Sequence, residues 1–191
     1  MCGLGLPIAL HKKIMAITKH AEQRVAVFID TQNLYHSAKA LYKKKVNFGN
    51  ILKDAVGDRK LVRALAYVIA SESGDEDAFF EALGKVGIET KVKDLQIFSS
   101  GAMKADWDVG LAVDAITIAP KVDAVIIVSG DGDYIPLVHY LQIHSGIQVE
   151  VVNFAKSTSA WLREEVDDFF DLSEDPKRYL LPGRRPARKK A

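Results

Sequence analysis

Residues 121–137, KVDAVIIVSGDGDYIPL, decide how the chain is built. Positions 122–128 are apolar almost throughout, mostly Val and Ile. Such a run suits a strand buried on both faces of a parallel sheet rather than one with a wet face. Directly after it stand Ser129, Gly130, Asp131, Gly132 and Asp133. Two carboxylates therefore lie at the strand's carboxyl end, with glycines that let the backbone turn tightly between them. From position 134 to 143 the apolar residues fall at helical spacing, so the unit reads strand, acidic turn, helix. In open α/β sheets that turn is where ligands bind.

Working outward, the same pattern recurs. Residues 25–29 are a second continuous apolar strand that also ends in an acid, Asp30, and leads into a helix to about 45 with Leu34, Ala38 and Leu41 on one face. A short helix is expected over 51–56, a strand over 61–70, and a helix over 75–86 with Gly87 as a left-handed cap. Short edge strands follow at 88–92 and 95–98, then a loop at 99–104. Asp106-Trp107-Asp108 opens a helix over 109–119 that Pro120 closes. A strand at 148–154, a helix started by Ser157, a last strand within 166–172 and an end of the ordered domain at Pro176 complete the pattern. This alternation predicts an α/β fold, a three-layer α/β/α sandwich with a mostly parallel central sheet. If the two acid-ended strands are neighbours where the winding reverses, their acids share one crevice.

The chain has 191 residues, 48% of them hydrophobic, enough for one sizeable core. No apolar run reaches the roughly 18 residues that would cross a bilayer. The single cysteine, Cys2, excludes an internal disulfide and a cysteine-based zinc cluster, and points to a reducing cytoplasm. Charge is unevenly spread. Positions 177–191 hold seven basic residues and no acid, which leaves 19 basic against 25 acidic residues, a net −6, for the body. Residues 1–23 do not fit the core pattern and are expected to be an N-terminal extension or helix; Lys12 and Lys13 follow the apolar run at 3–10, whereas a secretory signal has its charges before it.

Asp30, Asp108, Asp131 and Asp133 all fall at strand ends or helix starts, without equally spaced lysines or arginines to neutralise them. Clustered carboxylates raise one another's pKa, and a divalent cation relieves the repulsion. Oxygen-only ligands select a hard ion, Mg²⁺ or Mn²⁺. An open site of this kind suits phosphodiester chemistry, with the cation activating water and stabilising the leaving oxygen. For Asp106 and Asp108 the competing explanation is simple favourable placement at a helix N-terminus.

Three segments, FIDTQNL at 28–34, DVGLAVDA at 108–115 and VSGDGDYIPL at 128–137, resemble the three motifs of the NYN domain in its LabA-like branch. The resemblance spans about 25–154. It implies a PIN-like α/β sandwich and metal-dependent ribonuclease chemistry; the domain is expected over 24–173, and from the charge count and Pro176 a basic, disordered tail is expected at 174–191. By motif position, Asp30, Asp108, Asp131 and Asp133 would hold the metal, Asn33 would orient water or a phosphate, and Ser129 would fill the small polar position before the acidic turn. Asp106, where the second motif often has glycine, is expected to cap the helix. Asp114 lies about 240° round the helix from Asp108 and is expected to make a structural bond.

Trp107 and Tyr35 flank the expected crevice and are candidates to stack on unpaired bases, against the packing role single aromatics commonly have. Lys104, Lys156 and Arg163 are candidate backbone contacts, while His36, His139 and His144 are expected in surface or half-buried roles. RNA is the expected partner, and because an acidic body binds phosphate poorly, a protein partner or a homodimer groove is left open as part of recognition. Two other functions compete. A non-catalytic RNA-binding or regulatory module would need the same acids and the basic tail. A haloacid-dehalogenase-like phosphatase would need a second acid two residues after Asp30, where this chain has Gln32.

Overall fold

The computed structural model describes residues 17–70, 77–94, 96–97, 103–104 and 106–182. In chain order the elements are β1 (Arg24–Asp30), α1 (Thr31–Tyr42), α2 (Phe48–Val56), β2 (Lys60–Ala70), α3 (Asp77–Lys85), β3 (Glu89–Asp94), β4 (Gln96–Ile97) and β5 (Met103–Lys104). There follow α4 (Asp108–Ile118), β6 (Ala124–Val128), α5 (Ile135–Ile143), β7 (Gln148–Asn153), α6 (Ala160–Glu165), β8 (Asp168–Asp171) and α7 (Pro176–Tyr179). Six strands form one sheet in the order β3-β2-β1-β6-β7-β8, and every pairing in it is parallel.

Alternation along the central strands sends side chains into two cores, because successive residues of a strand face opposite sides. Val25, Val27 and Ile29 of β1, with Ile126 and Val128 of β6, pack under α1, α2 and α3 through Leu34, Ala38, Ile51 and Leu83. Ala26, Phe28, Val125 and Ile127 pack on the other face against Leu111 and Ala115 of α4, Val138 and Leu141 of α5, and Leu162 of α6. Both faces are covered, which is why β6 reads as an unbroken apolar run. The expected three-layer α/β/α architecture is the one observed. Among the described residues no helix is long and apolar enough to cross a membrane.

Three local expectations are corrected. Met103–Lys104, placed in a loop from sequence, pairs antiparallel with Gln96–Ile97 as a separate two-stranded ribbon. The helix assigned to Ser157 starts two residues later: Ser157 closes a 3₁₀ turn, and Ser159 caps α6 by accepting from Leu162 N at 3.4 Å. Nor does Pro176 end the ordered chain; it takes the first helical turn of α7, where its missing N–H costs nothing. Within α7 Tyr179 is buried and, with Arg178, bonds Asp54, and just beyond it Leu180 pairs with Val46. The folded body thus takes in residues 174–182 of the expected tail. At the other end Lys19 and Gln23, assigned to the extension, join the body, and residues 1–16 and 183–191 lie outside the described set.

At the amino ends of the strands sits a buried ion pair. Arg59 and Glu150 are 8% and 2% exposed and are doubly bonded through the guanidinium fork, with Nη2 to Oε2 at 3.1 Å. The guanidinium also donates to Val56 O and Ala55 O, and Lys19 and Gln148 complete the shell of Glu150. Removing one member of such a pair leaves an uncompensated buried charge, which costs about 3–5 kcal/mol. Glu150→Ala is therefore expected to lower the urea midpoint by that much stability; an unchanged midpoint would show that the pair holds nothing together.

Candidate functional site

The winding of the sheet reverses between β1 and β6. From β1 the chain builds outward through β2 to β3; it then returns to β6 on the other side of β1 and builds outward through β7 to β8. Ile29 and Val128 are register partners, so the two strands release the chain at the same level, at Asp30 and at Ser129. Adjacent strands leaving in opposite directions open a crevice at their carboxyl ends. Here it is a pocket of about 220 Å³ that includes Asp30, Asn33, His36, Trp107, Asp108 and Asp131 in its lining.

Each acid is held by its own local turn. Asp30 caps α1, accepting from Asn33 N at 3.0 Å. Burial pushes its pKa up, the Asn33 N–H bond pulls it down, the charges of Asp108 and Asp131 push it up again, and the Ser129 hydroxyl pulls it down. Asp108 opens α4 and accepts from the buried Tyr134 hydroxyl at 2.9 Å. Its pKa is raised by burial first, then, against the lowering by Tyr134, by Asp131, Asp106 and Asp133. Asp131 caps the 3₁₀ turn Gly132–Tyr134 by accepting from Asp133 N at 3.0 Å. Asp133 is exposed and lines a neighbouring groove of about 380 Å³, which shares Asp108 with the pocket.

Two buried groups tie the turns together. Ser129 Oγ lies 3.4 Å from Asp30 Oδ2 and accepts from Asp131 N at 3.3 Å. It is fully buried, so it fills the small polar position before the turn and spaces the two acids. Asn33 Oδ1 accepts from Gly130 N at 2.9 Å and from Asn153 Nδ2 at 3.2 Å. That commits its oxygen to the scaffold and leaves its NH₂ end to meet a ligand. Gly130 is tightly enclosed: a Cβ there would lie 2.2 Å from Asn153 Nδ2 and 2.6 Å from Ser157 O. Gly130→Ala must displace backbone as well as Asn153, and is expected to cost about 1–3 kcal/mol. Thermal melting against wild type checks this, and an unchanged melting point would mean that the turn yields freely.

The wall of the pocket is aromatic. Trp107 Nε1 donates to Val68 O at 2.9 Å, its ring packs on Tyr67 at 5.4 Å, and Lys93 lies over it. Trp107 is thus both a packing residue and a pocket face. Tyr35 is on the outside of α1 beside His36 and Lys39 and does not line the pocket. The side chain of Lys104 lies outside the described set. Trp107 itself takes the N-cap position of α4, without a side-chain cap bond, so Asp106 is not the cap expected of it; it lines the pocket instead. Asp114 is bonded by Tyr67 Oη at 2.7 Å and paired with Lys91, the structural role its helical position implied.

Four contributors escaped the sequence. His36 and Gln32 line the pocket; His36 stands three residues after Asn33 and four after Gln32 on a helix capped by Asp30, the spacing that points to it. Tyr134 and Asn153 are fully or almost fully buried and act on residues 26 and 120 positions away, a relation that carries no local signal.

Among the described residues no three His, Cys, Asp or Glu side chains form a closed metal-binding group. The donor set is nonetheless all oxygen, partly buried and mutually repelling, which fits a hard divalent cation held by one or two carboxylates with waters and substrate oxygens filling the rest. The raised pKa of Asp30 has a sign. A carboxyl whose folded pKa lies above its unfolded value favours the fold below the ordinary carboxylate range, and that contribution is lost as pH rises through the raised value. In chelator, Asp30→Asn is therefore expected to melt above wild type at neutral pH by roughly 2–4 °C, what about 1 kcal/mol amounts to at this size. The gap should close on acidification below the carboxylate range; a gap independent of pH would show that Asp30 is not under this strain.

Comparison with known proteins agrees with the geometry. The chain is 25% identical over 177 residues to the low amplitude and bright protein LabA of Synechococcus elongatus, covering 85% of this chain and 90% of that one. A crystal structure of a protein of unknown function from Vibrio parahaemolyticus superimposes with a TM-score of 0.77 at 33% identity, over 86% of this chain and 100% of that one. The family model of the NYN domain matches residues 24–173, the stretch that runs from the first strand of the sheet to the last and seats all three acidic motifs at one crevice. The chain belongs to the NYN domain family, in its LabA-like branch.

Proposed function

We propose that the protein is a divalent-metal-dependent ribonuclease. The observation that carries this is the convergence of Asp30 and Asp131, from the two strands flanking the switch point, with Asp108 from the start of α4 on one open pocket. The NYN domain belongs to the PIN-like nuclease superfamily, which supports the same chemistry.

Asp30, Asp108 and Asp131 would hold Mg²⁺ or Mn²⁺, with Asp133 at the rim. When bound, the cation supplies Lewis acidity: it lowers the pKa of a water and offsets charge building up on the phosphate oxygens. Tyr134 donates to Oδ1 of Asp108, which would fix that carboxylate and leave Oδ2 to ligate the cation. The amide NH₂ of Asn33 would donate to a phosphate oxygen, and the half-buried face of Trp107 would stack on an unpaired base, roles supported by both residues lining the pocket. A phosphatase using Asp30 as nucleophile is poorly served, because Gln32, which lines the pocket, has no proton to give as a general acid.

The test is cleavage of a mixed pool of labelled single-stranded and structured RNAs in Mn²⁺, in Mg²⁺ and in chelator. Cleavage that requires the metal and falls at least ~100-fold in Asp131→Asn is the expected result, on the scale of losing one charge-stabilising group in a preorganised site. A folded wild type that binds RNA and never cleaves it would move the assignment to a non-catalytic RNA-binding module.

A further inference from the structure

The groove of about 380 Å³ beside the acid pocket lies between α4 and α5, with Val109, Ala112 and Ile116 on one bank and Pro136, Leu137 and Tyr140 on the other. It meets the pocket at Asp108, which lines both. Tyr134, whose hydroxyl bonds Asp108 Oδ1 at 2.9 Å, is part of its wall. The first turn of α4 is the partition: Asp106 and Trp107 line the pocket, while Val109 and Ala112 line the groove. Gly110 keeps that partition thin. A Cβ there would lie 2.6 Å from the Trp107 ring, so the indole rests directly against the helix.

The chemistry of the groove is unlike that of the pocket. Among the described residues that line it there is no lysine, arginine or histidine, and its charges are the two acids at its edge, Asp108 and Asp133. It is built to hold something other than phosphate. What it offers is apolar surface left in solvent: Val109 is 74% exposed, Ile116 37% and Tyr140 41%. Contiguous surface of this kind marks a binding site. The Tyr140 ring already pairs with that of His144 at 5.0 Å and a 31° tilt, one turn further along α5.

We infer that the groove between α4 and α5 is a subsite for an unpaired RNA base, the one next to the phosphate held at Asp108, with Tyr140 as its stacking surface. The inference rests on the protein acting on RNA at the acid pocket. A phosphodiester strand carries a base on each side of every phosphate. Asp108 likewise has an aromatic surface on each side, Trp107 in the pocket and Tyr140 in the groove. Stacking is tolerant of sequence because every base has a π-face, but a base held in a duplex cannot enter. The subsite therefore selects single strands and not a sequence. A protein partner fits less well: it would cover Asp108 and Asp133, and carboxylates left unpaired under an interface are costly. A nucleotide instead brings phosphate oxygens that complete a cation's shell beside those acids.

The test is fluorescence anisotropy of the full chain with a labelled single-stranded RNA of about eight nucleotides, in Ca²⁺, a hard cation with the same preference for oxygen ligands. An abasic nucleotide is moved along the strand, and each strand is titrated against wild type, Tyr140→Ala, Tyr140→Phe and Ile143→Ala. Tyr140→Ala is expected to weaken binding about tenfold, the scale of one lost stack, and Tyr140→Phe, which keeps the ring, to stay within about twofold of wild type. At one abasic position wild type should lose the same amount, and there Tyr140→Ala should add nothing, because both changes remove one contact. Ile143 is 75% exposed on the same helix and outside the groove; Ile143→Ala should bind as wild type does, with thermal melting confirming the fold of every variant. No binding by wild type, full affinity in Tyr140→Ala, losses that add at every abasic position, or an equal loss in Ile143→Ala would each overturn the inference. So would a wild-type dimer, seen by light scattering, that Tyr140→Ala dissociates, since the groove would then join two copies. The nuclease reading fails separately. The coupled loss in Ca²⁺ without any cleavage in Mn²⁺ would leave the subsite standing in a binding module; metal-dependent cleavage with affinity and KM indifferent to Tyr140 would leave the nuclease without this subsite.

Discussion

The parallel pairing of β1 with β6 is the constraint on which the rest of the site depends. Because Ile29 and Val128 are partners across that pair, the first residues beyond the two strands emerge side by side, and both ends bear acids. Closeness of this kind is costly for carboxylates, and the structure meets the cost with backbone N–H groups, one to Asp30 and one to Asp131, and with the Ser129 hydroxyl between them. The absence of a Cβ at Gly130 lets the second turn close against Asn153. A side chain there would separate the turns that Asn33 now joins.

Charge is distributed along the sheet in a way that follows from the same layout. At the amino ends of the strands, Glu150 is fully compensated by Arg59 and Lys19, and the ions serve to lock β7 to the chain entering β2. At the carboxyl ends, Asp30 and Asp108 have neighbours of their own sign and raised pKa values. One end of the domain is thus electrostatically satisfied and the other is left wanting a cation. Both ends bury acids, Glu150 the more deeply, and burial is the first cause of the raised values at Asp30 and Asp108. What differs is the sign of the partners.

Much of the fold was legible because its signals are local. An unbroken apolar run reports a strand covered on both faces; an acid followed by helical spacing reports a capped helix start. Asp30, Asp108 and Asp131 could be picked out on those grounds and do line one pocket. The errors were also local in kind: Ser157 and Ser159 are equally good caps in sequence, and Pro176 serves a helix start as well as a chain end. Packing chose between those alternatives, through the Ser159 N to Gly130 O bond at one end and the burial of Tyr179 at the other.

By itself the sequence determined the alternation of strands and helices, the strand ends at which carboxylates stand and the chemistry those carboxylates favour, because each of these depends on residues within one turn or one strand of each other. The tertiary structure alone decided that Asn153 would clamp Asn33, that Tyr134 would hold Asp108, that Asp133 would face the neighbouring groove, and that the C-terminal segment would lie beside Lys45. Those relations join positions up to 136 residues apart. They follow from the order in which strands enter the sheet, which no local pattern of side chains records.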